Sequence, residues 1–250
     1  MITGPVVDTP SALEFRREIA ERMSETQLRA IVADLSRKSA ALGELLSPDA
    51  ELSDRATLRQ VLRWVFATRR HADQLIDAIG PPQLAGAITG LITTGKAVAE
   101  RIDRFDAVLG LSGAQSPLAQ RSFDLASELL HFTAPDRYWL WTRWIWDPTT
   151  RTGALGLVTT EESDLSAGAT HGAAYLTIGR ALAFVDETSK AAGLLPADLG
   201  PFGGDVLLAA VYGVYMYTVL AMRMSKEFNR VLPTLPDLVR RLLGVYHLGL

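Results

Sequence analysis

Four of the five tryptophans fall within eight residues: Trp139, Trp141, Trp144 and Trp146, with Tyr138 ahead of them and Arg137 and Arg143 interleaved. Indole rings offer wide flat faces and one N–H each, so such a cluster can stack a planar or cationic ligand while the guanidinium groups take a carboxylate or phosphate. With His131 and Asp136 on the approach, the candidate binding set is His131, Asp136, Arg137, Tyr138, Trp139, Trp141, Arg143, Trp144 and Trp146. Trp, Tyr and Arg also concentrate binding energy at protein interfaces, so the set suits a partner protein or a small planar ligand. On a helix, Tyr138, Trp141 and Ile145 share one face; on a strand, Trp144 and Trp146 point the same way. The competing reading is a tryptophan-rich core corner, because rings this large mostly serve packing.

A second chemical pattern is the recurrence of Arg55, Arg59, Arg63 and Arg70 along one predicted helix face, a candidate anion-binding stripe tempered by Asp54, Asp73 and Asp77. Other chemistries leave little trace. Neither GxGxxG nor GxxxxGK[ST] occurs, so no glycine loop aims backbone amides at a phosphate. Glu128-Leu-Leu-His131 has the spacing of one half of a bundle di-metal site, but the residues three before His71, His171 and His247 are Thr68, Gly168 and Gly244. No metal or cofactor is expected. The elbow pattern GxSxG is missing, and a dispersed active site drawing on His131, His171, Asp136 and Glu161 has no sequence signature of its own. No residue set is assigned to catalysis. With no cysteine, disulfides, thiolate metal sites and cysteine nucleophiles are excluded.

The elements that must position these groups read as helices. Thr9-Pro10-Ser11 starts one, and a second follows a break near Ser24. Ser53 caps a run from Asp54 to Ile79 that Gly80-Pro81-Pro82 stops. Gln83 to Leu109 continues in helical period although Gly86, Gly90 and Gly95 weaken it, and such glycines let a neighbouring helix approach closely. A turn at Leu109–Gly113 leads into a helix opened by Ser116-Pro117. The turn chemistry of residues 147–153, between Arg143–Trp146 and Ala154–Thr160, predicts a short β-hairpin. A long helical region, Leu165 to Ala192, a Pro/Gly-rich loop, the uncharged run Val206 to Met222 and a last helix at Leu238–Leu243 complete the chain. The uncharged run has its tyrosines in the middle rather than at the ends, which predicts a buried core helix rather than a membrane span.

The stretch Leu125-Ala-Ser-Glu-Leu-Leu-His131-Phe-Thr-Ala-Pro-Asp-Arg-Tyr138 resembles a segment of all-helical proteins related to helix-hairpin-helix DNA glycosylases, where a helix ends in His-Phe and Pro-Asp precedes an aromatic. The resemblance implies a helical fold and, as an alternative function, action on nucleic acid or a nucleobase, with indoles stacking and arginines on phosphates. It covers only this stretch, and Trp141-Thr142-Arg143 stands where that family continues into an aspartate.

Taken together, the chain is expected to be mainly α: one domain over residues 1–250, a bundle of eight or nine helices with one hairpin and the aromatic-rich segment at 133–160. A net charge of −3, from 25 basic against 28 acidic side chains, disfavours a nucleic-acid partner. Without a basic, apolar leader at the amino terminus, a cytoplasmic protein that engages no membrane is expected. The function expected is that of a binding or accessory protein.

Overall fold

The computed structural model describes residues 7–47, 50–93, 95–109, 122–160, 163–165, 168–196, 198–223 and 233–246. Within them the chain is mainly helical: α1 (Thr9–Arg22), α2 (Glu25–Leu45), α3 (Arg55–Trp64), α4 (Ala72–Ile79), α5 (Pro81–Ile92), α6 (Val98–Leu109), α7 (Ser122–Thr133), α8 (Ala154–Val158), α9 (His171–Ala191), α10 (Gly203–Arg223) and α11 (Leu235–Leu242). Eleven helices replace the expected eight or nine for three local reasons.

First, the run from Asp54 to Ile79 is two helices. Asp54, not Ser53, caps α3, its carboxylate accepting the Thr57 N–H at 3.0 Å. Val65 then turns extended, and the backbone N–H groups of Phe66 and Ala67 leave the helical ladder to donate to the Glu128 carboxylate at 3.0 and 3.3 Å. Second, the run from Gln83 to Leu109 breaks after Ile92, where Gly95 takes φ +130°, a conformation side chains disfavour.

Third, the expected hairpin does not form. Residues 143–153 close a turn through a single bridge between Asp147 and Thr152, with Asp147 Oδ1 accepting from the Thr149 N–H. Gly153, at φ +143° and so close to the Ile145 carbonyl that any Cβ would collide with it, redirects the chain. Ala154 and Leu155 donate to the carbonyls of Trp144 and Ile145 at 2.9 Å, which satisfies the first N–H groups of a helix, and α8 follows in place of a strand. The expected turn at 109–113 and the Ser116-Pro117 helix start lie, Leu109 excepted, outside the described residues.

Two compact units emerge. The first comprises Met1–Ser36, Arg143–Leu165 and Ala181–Leu250. Its centre is α10, against which α1, α8 and α11 pack. The stretch Gly200–Val219 is long and apolar enough to cross a membrane by length and composition alone, and 61% of it is buried within the fold. Gly213 lets α11 approach it, since a Cβ there would lie 2.6 Å from Leu235.

The second unit comprises Arg37–Thr142 and Ser166–Arg180. Its centre is α7, buried at every residue from Ser122 to Phe132, with α5 and α6 packed on it. A helix buried all round must satisfy its polar groups internally. Glu128 does so by accepting from Lys38 Nζ at 3.1 Å besides the two backbone N–H groups at the α3–α4 break, and the ammonium also lies 3.8 Å from the centre of the Phe132 ring.

Candidate functional site

The aromatic segment is divided between the two units. In the second, Trp141 is 1% exposed and stacks on Phe123 with ring centres 4.6 Å apart. Its backbone N–H donates to Ser127 Oγ at 2.6 Å. His131, 2% exposed, faces the Tyr138 carbonyl through Nδ1 at 2.8 Å. These bonds tie the chain after α7 back onto α7 itself. Asp136 and Arg137 are exposed, and Trp139, at 36% exposure, rests on Gly179 of α9, where a Cβ would crowd the indole at 3.1 Å.

In the first unit Trp144 and Trp146 are buried. Trp144 lies 6.2 Å from Tyr212 between ring centres, and Trp146 covers Gly156. Arg143 is half-buried. Of the four clustered indoles, then, only Trp139 presents a face to solvent, and three serve the interior.

The arginine stripe is exposed but largely neutralised where it is densest. Arg55 pairs with Asp77 at 2.6 Å and Arg59 with Asp73 at 2.7 Å. The Arg55 guanidinium holds the Asp77 carboxyl below its ordinary range. Arg63, on α3, and Arg70, in the turn between α3 and α4 and so off the expected helix face, are exposed without an acidic partner among the described residues.

Two arrangements in the second unit escaped the sequence. One is a groove of about 220 Å³ between α5 and α6. Its floor is opened by Gly86 and Gly90, at each of which a Cβ would meet nothing within 4 Å. Leu91 and Phe105 give it apolar walls, and Gln83 closes one end by donating to the Val108 carbonyl at 3.3 Å. Arg101 lines the other end and is 5% exposed. Its guanidinium donates to the carbonyls of Leu91 and Thr93 and to the Tyr138 hydroxyl at 2.7 Å, and it lies 5.2 Å from the Tyr138 ring centre. The aromatic segment thus reaches this groove through Tyr138, by fixing an arginine rather than by offering an indole. Helical glycines with an arginine three turns away carry no signal in sequence; only the antiparallel pairing of α5 and α6 creates the space.

The other arrangement joins His171, the first residue of α9, to α6 across 65 residues of sequence. Its Nδ1 bonds Asp106 Oδ2, while Asp103 accepts from the Gly172 N–H at 2.8 Å and from the Thr170 hydroxyl at 3.0 Å. Nε2 makes no hydrogen bond among the described residues, and the imidazole is 41% exposed. Bonding to Asp106 raises the His171 pKa above the ordinary histidine value, with Asp103 and Asp124 adding to the field. This is the geometry that orients an imidazole for proton transfer.

Compared with known proteins, the chain matches no family model, no curated protein and no solved structure.

Proposed function

We propose that this protein binds a small apolar molecule in the groove between α5 and α6. The observation that carries the reading is the unfilled space over Gly86 and Gly90, walled by Leu91 and Phe105. Mid-helix glycine costs roughly 0.5–1 kcal/mol relative to alanine. Where glycine accommodates a close neighbour, that cost has a structural return; here no atom of the described residues lies within 4 Å of where a Cβ would stand. At about 220 Å³ the groove falls below the ~300 Å³ at which pockets for drug-sized ligands begin, so the ligand is small, on the scale of two or three aromatic rings or a short acyl chain.

In this reading the tryptophan-rich segment supports the site instead of contacting the ligand. Tyr138 holds Arg101 at the groove's end, and Trp141 and His131 hold the segment that carries Tyr138. The protein is a binding or accessory protein, and nothing in the reading calls for a cofactor or a membrane.

The test uses N-phenyl-1-naphthylamine, an uncharged fluorophore that brightens in apolar sites. Gly86→Leu with Gly90→Leu places side chains in the groove at positions where a new Cβ meets no described atom within 4 Å. Wild type is expected to bind the dye, and the double variant to bind it at least tenfold more weakly with no loss in thermal midpoint. Equal binding by the two proteins, or none by wild type, overturns the proposal.

A further inference from the structure

Resting on that reading, we infer that the ligand carries one negative charge, placed at the Arg101 end of the groove. Two buried cations of the same unit differ in how their charge is met. Lys38, wholly buried, has the Glu128 carboxylate as its counter-charge. Arg101, 5% exposed, has no carboxylate within ion-pair distance among the described residues. Its donors are met by two carbonyls and a phenol, all neutral, and its buried Nε has no acceptor among the described residues.

A buried charge without a counter-charge is costly, because carbonyl dipoles and a ring face replace only part of its lost hydration. Such a residue persists where the missing partner comes from outside. Arg101 sits in the wall of an apolar groove, where a nearby anion would be poorly screened and strongly attracted. Arg104 stands on the same groove with its side chain 59% exposed. Among the described residues its acidic partner is Glu100, at 3.5 Å, and Glu100 is also engaged by Lys96 at 2.9 Å. Arg101 therefore supplies the field from the wall, and Arg104 supplies mobile donors at the rim.

The ligand class that fits is a free small molecule with an apolar body and a single carboxylate, sulfonate or phosphate group. A second anionic group would meet Glu100. A cationic ligand would face Arg101 without compensation.

A matched pair of dyes isolates the charge. 1-Anilinonaphthalene-8-sulfonate has the ring system of N-phenyl-1-naphthylamine plus one sulfonate, so the ratio of their dissociation constants reads the anionic contribution alone. Wild type is expected to bind the sulfonate at least tenfold more tightly than the neutral dye. Arg104→Gln should shrink that ratio severalfold, and Arg101→Met should bring it to about one. Arg101→Met also leaves the Leu91 and Thr93 carbonyls and the Tyr138 hydroxyl without their donor, so its thermal midpoint is measured alongside, and Arg104→Gln carries the test should it unfold. Equal affinities for both dyes, both lost in the Gly86→Leu, Gly90→Leu protein, would refute the anionic head and leave the groove standing. Dye binding unaffected by the glycine replacements would sink both readings.

Discussion

At the residue scale, His171 shows what a single sequence conceals. Neighbours Thr170 and Gly172 mark it as a residue at a helix start, but its partners Asp103 and Asp106 come from α6, far earlier in the chain, and nothing in local composition pairs them. The same holds for Arg101, which reads as one more charge on an amphipathic helix until Tyr138 and the end of α5 close over it. The bond to Asp106 favours the protonated imidazole in the folded chain, so its folded pKa lies above the unfolded value of about 6.5. The resulting stabilisation is fully present below about pH 6.5 and is lost as pH rises through the folded value. Replacing His171 with Gln removes it. The urea midpoint of wild type should exceed that of H171Q most below about pH 6.5, with the gap closing at higher pH. A gap that widens with pH would mean that Asp106 does not hold the charged imidazole.

At the element scale, periodicity located most helices, because a buried stripe at 3.6-residue spacing survives any tertiary arrangement. Breaks were harder to read. The interruption between α3 and α4 depends on Glu128, which draws off two backbone N–H groups from a helix more than 60 residues away, so no residue within the run announces it. The hairpin failed because the β-friendly residues 154–158 obtained helix-start acceptors from Trp144 and Ile145 instead of a ladder. Glycines are equally ambiguous in sequence and distinct in structure. Gly172 sits where a Cβ would lie 2.2 Å from the Ala99 carbonyl oxygen, so α9 and α6 meet there backbone to backbone, whereas Gly86 and Gly90 face open space. Gly172→Ala is accordingly expected to destabilise by roughly 1–3 kcal/mol through overpacking. Gly86→Ala and Gly90→Ala should each stabilise by about 0.5–1 kcal/mol through helix propensity. Urea titration of the three variants checks the opposite signs.

At the scale of the whole molecule, charge decides between ligand classes. Polyanion binding requires cationic side chains that release counterions from phosphates, each adding close to one unit to the salt slope. The chain has 25 basic against 28 acidic side chains, and the arginine stripe that might have offset this is already half spent, Arg55 on Asp77 and Arg59 on Asp73. Exposed pairs of this kind contribute little to stability, typically below about 1 kcal/mol, but they cancel the local field that a phosphate backbone would need. Arg63 and Arg70 remain, enough for a salt slope of about two and for affinity too weak to survive chromatography at moderate ionic strength. Wild type should therefore pass unretained through immobilised duplex or single-stranded DNA at ~50 mM salt. Asp73→Asn with Asp77→Asn, which frees Arg55 and Arg59, should introduce weak, salt-sensitive retention. Tight binding by wild type with a steep salt dependence would instead favour the nucleic-acid role implied by the Leu125–Tyr138 resemblance, and would move the functional surface from the α5–α6 groove to the exposed face of α3.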